Sequence, residues 1–364
     1  MNSRLAQLSG RTPGRLRLLL GFLATVALFL FAVQLLGTAT EAVAPLVARV
    51  FARNVVGDGA ALGLSWLAAY VLANGSVVAT LSVSLFTAGV VSTQQLFLMV
   101  AGSRLGGAAV VVLVGALDYF QKDRLSVQEA VSLGTLTFVL THSIFLPATV
   151  LGYVALPLLD ASGFGAGTAT AIEFRALSTF DPLTEAVTTA IGPGLSVLLA
   201  VALVFGSLSL FDRLLARVDE AALQRHLFAH FRHTWVSFFA GLLITGVATS
   251  VAFSLGVVVP LYNRGYVDRD ELVPYILGAN VGTFFDTVLV AVVLESVTGL
   301  VVVLELVAVA TLLTLLAMVA YDQYRRVVTA LDTRLATDRR VFAAFLFALL
   351  VVPLAFLVVP LLLR

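Results

Sequence analysis

The chain has 364 residues, 60% of them hydrophobic and 12% charged, with a mean hydropathy of +1.04 and a formal net charge of +1. An ordinary soluble domain carries about 25% charged residues, so this composition excludes a soluble protein and identifies an all-α integral membrane protein with the lipid bilayer as its surroundings and no nucleic-acid partner. Cysteine is absent, which excludes disulfides, thiolate catalysis and Cys-ligated metals.

In chain order, residues 1–17 form a tail with Arg4, Arg11, Arg15 and Arg17, read as cytoplasmic. Leu18 to Thr40 is the first spanning helix. It is too long, and lacks the small-residue cleavage pattern, for a removable signal, so it is read as permanent. Thr40 to Asn54 mixes Val43, Leu46, Val47, Val50 and Phe51 with Glu41, Arg49 and Arg53, which predicts an interfacial helix. Shorter apolar stretches follow: Leu62 to Ala73, a polar break at Asn74-Gly75-Ser76, Val77 to Val91, a glycine motif at Gly102 to Gly107, and Ala108 to Leu117. Asp118, Lys122, Asp123, Arg124 and Glu129 mark a solvated loop before the span Val131 to Leu158.

Residues 159–194 carry Asp160, Glu173, Asp181 and Glu185 against Arg175 alone, and are read as an extracytoplasmic loop. The span Leu195 to Leu210 leads to Arg213, Arg217, Arg225 and Arg232, with a second amphipathic stretch from Arg217 to His230. Within it His226 and His230, followed by His233, have a spacing able to bind metal, in a stretch read mainly as basic and interfacial. Then come Phe238 to Ala248, a break at Thr249-Ser250, Val251 to Leu261, Leu272 to Leu277, the motif Gly278 to Thr283, Phe284 to Leu294 and the span Val297 to Ala320. A cytoplasmic segment, 322–340, holds Arg325, Arg326, Arg334, Arg339 and Arg340, and 341–364 is the C-terminal transmembrane helix.

The two halves repeat. A displacement of 176 positions carries Gly102 to Gly278, and without a gap also pairs Val83 with Val259, Leu85 with Leu261, Gly89 with Gly265, Leu96 with Leu272 and Gly106 with Gly282. Membrane repeat 1 occupies 18–158 and repeat 2 occupies 195–321. By the positive-inside rule the first begins on the cytoplasmic side and the second outside, so the repeats are predicted to be inverted. Stretches of about 10 to 14 apolar residues are too short to span and suit broken helices or re-entrant hairpins around a midplane site.

These features resemble the type II sodium/phosphate cotransporter family. The resemblance rests on Ala27 to Phe31, the break near residue 75, and above all Pro260, Gly265, Tyr275 and Gly278-Ala279-Asn280-Val281-Gly282-Thr283, and it covers roughly Leu18 to Tyr321. It implies sodium-coupled uptake of inorganic phosphate or a similar anion by alternating access, at the plasma membrane, with sodium as coupling ion and no other cofactor. That family's Gln-Ser-Ser-Ser signature, taken to line the phosphate and sodium sites, is replaced by Ala73-Asn74-Gly75-Ser76 and Thr249-Ser250-Val251-Ala252. Asn74, Ser76, Thr249 and Ser250 are the polar residues left at those positions. In the first motif Arg104 and Gly107 stand where the second has Asn280 and Thr283.

A desolvated anion needs hydrogen-bond donors, which a half-helix N-terminus supplies. Gly278 and Gly282 allow close approach of a ligand, or alternatively of another helix. Asn280, Thr283 and Asp286 offer oxygens to sodium, and Asn280 also a donor to an anion. Arg104 and Asp286 are costly inside a bilayer and require partners or a wet cavity. The pseudo-symmetry predicts that they meet, Arg104 serving an anion or balancing Asp286, and Asp286 holding a cation or a proton. Glu305 and His142 are further buried polar groups, each a candidate for a structural hydrogen bond or a transport role. Three functions follow: the sodium-coupled transporter, a transporter of another solute or one coupled to protons, and a membrane sensor or regulatory partner. No catalytic constellation is legible, and no enzyme is expected.

Overall fold

The computed structural model describes residues 12–121, 127–162, 179–215, 233–249 and 267–364, with residues 254, 258 and 262 in addition. The described residues are helical, without strands, and seven helices are long and apolar enough to cross a membrane. The protein is a multi-pass membrane protein.

Helix α1, Thr12–Asn54, is continuous. The expected separate interfacial helix over Thr40 to Asn54 does not form. The joint is Ala- and Thr-rich, Thr38 bonds back to the Gln34 carbonyl at 3.1 Å, and helical geometry passes through Pro45. Its 43 residues reach about 65 Å at 1.5 Å per residue, beyond the roughly 30 Å hydrocarbon layer, so the amphipathic end extends past one face of the bilayer. The matching stretch from Arg217 to His230 lies outside the described residues.

Helices α2 (Gly57–Leu72) and α3 (Gly75–Thr87) form a broken pair. The break is built by Ala73 in the left-handed region (φ 48°) and by Asn74, whose side chain caps α3 by accepting from Val77 N at 3.1 Å. Helix α4, Thr93–Gln121, runs unbroken through the first glycine motif, and α5 spans Val127–Ser162. The charged stretch read as a loop therefore shrinks to residues between these helices: Asp118 closes α4 and Glu129 opens α5.

The loop expected over 159–194 is partly helical. Helix α5 runs on to Ser162, and α6, Asp181–Ile191, lies against α1 through a Thr38–Thr184 hydroxyl contact of 3.0 Å and a bond from Phe180 N to Gln34 Oε1. Helix α7, Pro193–Leu215, packs along α1, with Gly21 beneath Leu214.

In the second half α8, Thr234–Ala248, ends at Thr249 with φ 52°. Thr249 is the 176-displaced mate of Ala73, so both copies break on a left-handed residue at the same place. Helix α9, Arg269–Gly282, starts with Asp268 N donating to Glu271 Oε2 at 3.0 Å. After Thr283 and Phe284 the short α10, Phe285–Val293, continues nearly in line. Helix α11 is Val297–Val319, α12 is Tyr321–Thr337, and α13 is Arg339–Leu362.

The glycines repeat their contacts as well as their spacing. A Cβ on Gly102 would lie 2.6 Å from the Leu62 carbonyl oxygen, and on Gly106 2.5 Å from that of Trp66. Gly278 and Gly282 meet the carbonyls of Phe238 and Leu242, which are the displaced mates of Leu62 and Trp66. Thus α2 on α4 and α8 on α9 are one helix-packing unit used twice.

Helix α5 fixes the relative directions. Gly134 of α5 lies beside Val111 of α4 and Gly152 beside Phe97, so these helices run antiparallel. Thr141 meets Asn280 and Phe145 meets Phe284, so α9–α10 run parallel to α5. Mates α4 and α9 therefore point in opposite directions.

Helix α12 is an amphipathic strut along α5 rather than a simple connecting segment. Asp332 accepts from Thr135 at 2.8 Å and pairs with Arg269, while Asp270 pairs with Arg325 at 2.5 Å. Burial raises the Asp332 carboxyl above the usual range, although Arg269 and Thr135 pull the other way. Helix α13 is the last of the described helices. It leans on α2, where Gly63 lies under Pro353 and Phe356, and Tyr70 donates to the Leu349 carbonyl at 2.9 Å.

Candidate functional site

The site is assembled where the two glycine motifs face each other. Arg104 projects from the middle of α4 and is only 7% exposed. Its Nη1 donates to Thr283 Oγ1 at 3.0 Å, and its Nη2 donates to Asp286 Oδ1 at 2.9 Å and to Thr287 Oγ1. The guanidinium also lies over the Phe284 ring, 4.6 Å from its centroid. Asp286, 2% exposed, accepts a second hydrogen bond on Oδ1 from Thr287 at 2.9 Å. The ion pair expected from the pseudo-symmetry is therefore present, and it is one of the contacts that tie copy 1 to copy 2.

Local sequence explains why α9–α10 can cradle a cation. Thr283, Asp286 and Thr287 stand at i, i+3 and i+4, a spacing that gathers side chains on one helical face. The turn at Thr283–Phe284 lets them converge on the incoming guanidinium. Thr287 and Phe284 were not among the residues singled out from the sequence, although the i, i+4 spacing of Thr287 from Thr283 was a usable signal.

Asn280 is 5% exposed, and its Oδ1 accepts from Thr141 at 3.1 Å. Thr141, next to the His142 noticed in the sequence, is a third contributor that was missed. Among the described residues, Arg104 Nε and Asn280 Nδ2 are buried donors without a hydrogen-bond partner, and Asp286 Oδ2 is a buried acceptor without one. Two donors and one acceptor, drawn from both motifs, are thus left without partners.

The remaining candidates divide. Asn74 serves as a helix cap, and Ser76 is half-buried beside it. Gly75 packs against the Ser103 carbonyl, with its ideal Cβ position 3.6 Å from Gly107 Cα, so the first break abuts the turn that carries Arg104. Thr249 and Asp286, with Thr25 and Ser207, are the polar residues lining a mainly apolar cavity of about 720 Å³ between α1, α7, α8, α9–α10 and α11. The second break is thus also beside the motif junction. Ser250 lies outside the described residues.

Gly278 and Gly282 are engaged in packing α9 on α8, the alternative given to them from the sequence. The half-helix N-terminus expected at the motifs falls just after the second one, where α10 begins at Phe285 with Asp286 in its first turn. Gly102 to Gly107 lie inside α4, and Gly278 to Gly282 form the last turn of α9, a C-terminal end with partial negative character.

His142 is buried, stacked on Phe138 at 3.6 Å between centroids, with Nδ1 at 3.0 Å from the Phe138 carbonyl. Glu305 is buried within α11. Among the described residues no group of three His, Asp or Glu side chains is arranged to hold a metal, and His226 and His230 lie outside them.

Comparison with known proteins matches residues 203–332 to the family model described as Na+/Pi-cotransporter. The match runs from within α7 to within α12, including the motif Gly278 to Thr283, Asp286 and Thr287. No curated protein and no solved structure matches the chain.

Proposed function

From the match of residues 203–332 to the Na+/Pi-cotransporter family model, we propose that the chain is a secondary active transporter that moves inorganic phosphate, or a closely similar oxyanion, across the plasma membrane by alternating access. Sodium, the family's coupling ion, supplies the gradient. The two copies act as inverted repeats, and the broken pair α2–α3 is a re-entrant hairpin. The opposed directions of α4 and α9 support this, as do the left-handed breaks at Ala73 and Thr249. The N-terminal tail is cytoplasmic.

The observation that carries the proposal is the junction of the two motifs. Arg104 and Asn280 each keep a buried donor free, and Asp286 keeps a buried carboxylate oxygen free. A hydrogen phosphate ion complements that set: its oxygens accept from Arg104 and Asn280, and its own O–H donates to Asp286. Sulfate carries no proton near neutral pH and would set an oxygen against the carboxylate. The pairing of Asp286 with Arg104 limits the repulsion that a lone carboxylate would exert on any anion.

Uptake of labelled phosphate into proteoliposomes tests this. The wild type accumulates phosphate saturably under an inward sodium gradient, and excess sulfate competes poorly. Asn280→Ala lowers uptake about tenfold or more, as expected for one hydrogen bond to a charged ligand. Equal reconstitution with no phosphate signal under any applied gradient would refute the proposal.

A further inference from the structure

Of the oxygens assigned to sodium from the sequence, that of Asn280 accepts from Thr141, and those of Thr283 and Asp286, joined by Thr287, are not arranged around open space. Thr283 Oγ1, Asp286 Oδ1 and Thr287 Oγ1, one carboxylate and two hydroxyls from a single turn, all converge on the guanidinium of Arg104. Phe284 closes a face of the same group. A hard oxygen set with one negative charge is what a monovalent metal cation seeks. Here a monovalent organic cation occupies it, delivered from the opposite copy.

We infer that Arg104 is a tethered cation that takes the place of a sodium ion at the oxygens of Thr283, Asp286 and Thr287, so that this protein's site is charge-balanced there without sodium. The inference rests on the reading of the motif junction as the transport site, and it is tested by binding alone so that either can fail separately.

The physical case has three parts. First, a carboxylate as buried as Asp286 requires a countercharge, and Arg104 supplies one that deprotonation cannot remove. Second, the position is specific: the 176-displaced mate of Arg104 is Asn280, a neutral residue of the kind that leaves room for a separate ion. Third, a cation attached to α4 cannot be released to either side of the membrane. The protein therefore carries one fewer dissociable cation at this place than a site with a neutral residue at position 104, and its cycle is correspondingly less dependent on sodium. In Arg104→Asn the first motif regains the residue type of the second, and the three oxygens become available to sodium.

Thermal unfolding of the purified protein in detergent, in sodium chloride against choline chloride at equal ionic strength, tests the substitution. The readout is the part of the sodium response that Asp286→Asn removes. For the wild type this part is zero. Arg104→Asn, and independently Arg104→Gln should the first fold poorly, acquire a saturable sodium-specific rise in Tm of about 2–4 °C or more that disappears when Asp286→Asn is added. Two results would overturn the inference. One is a sodium-specific rise in the wild type that Asp286→Asn abolishes. The other is a folded Arg104→Asn or Arg104→Gln protein whose Tm follows pH but not sodium, because Asp286 would then be neutralised by a proton.

Discussion

The two copies of the repeat share their glycines and differ in their polar residues. Gly102 and Gly106 seat α4 on the carbonyls of Leu62 and Trp66, and Gly278 and Gly282 seat α9 on those of Phe238 and Leu242. Between the glycines, copy 1 has Arg104 and copy 2 has Asn280. Just beyond them, α4 continues as a helix, whereas α9 turns at Thr283–Phe284 and presents Asp286 and Thr287. The conserved half of each motif builds the scaffold, and the divergent half carries the chemistry. Divergence is what makes the copies complementary: two cations or two carboxylates facing each other at this depth would not be tolerated.

The comparison breaks most severely at the glycines. Gly102→Leu and Gly278→Leu each push a branched side chain into the backbone of the facing helix, and neither yields folded protein by size-exclusion chromatography. The milder Gly102→Ala and Gly278→Ala each cost about 1–3 kcal/mol, measured as lowered thermal stability. Similar losses in both copies are required if the packing unit is duplicated. A silent Gly102→Ala beside a damaging Gly278→Ala would mean that the copies are not packed alike.

Next in size is the bridge between copies. Arg104→Ala leaves the Asp286 carboxylate buried and unpaired, with an expected loss of about 3–5 kcal/mol. The double variant Arg104→Met with Asp286→Leu recovers most of that stability while abolishing uptake, because it removes both charges together. A double-mutant cycle reads the coupling. Smaller still, Thr287→Val removes one hydroxyl from a charge-assisted hydrogen bond and loses about 1.5–3 kcal/mol. Asn74→Ala, which uncaps α3, costs about 1 kcal/mol in stability and reduces uptake only in proportion to the folded fraction.

Legibility in the sequence followed the strength of the physical constraint. Buried charges are expensive, so Arg104 and Asp286 stood out in an apolar chain, and the internal repeat was enough to place them together. The breaks at Ala73 and Thr249 were visible as polar interruptions at matching positions. The glycines were visible too, but spacing alone does not distinguish a ligand contact from a helix contact, and the carbonyls of Phe238 and Leu242 decide in favour of packing. Threonine hid its role for a similar reason. Thr25, Thr80 and Thr149 satisfy their hydroxyls on carbonyls four residues back, and the Thr141 hydroxyl lies within reach of the Thr137 carbonyl as well as of Asn280 Oδ1, so nothing in the sequence marks Thr141 as different, whereas Thr287 was legible only through its spacing from Thr283. The continuity of α1 was missed because amphipathicity from Thr40 to Asn54 suggests a helix lying at the interface, yet says nothing about whether it is joined to the span before it.

Equilibrium binding of labelled phosphate to the purified protein tests most directly whether the two motifs form one site. Saturable binding is predicted for the wild type, weakened about tenfold or more by Arg104→Ala in copy 1 and by Asn280→Ala in copy 2. Arg325→Ala, which breaks the distant pair with Asp270, leaves the affinity unchanged. Affinity that survives both Arg104→Ala and Asn280→Ala in folded protein would contradict a site made by the meeting of the two motifs.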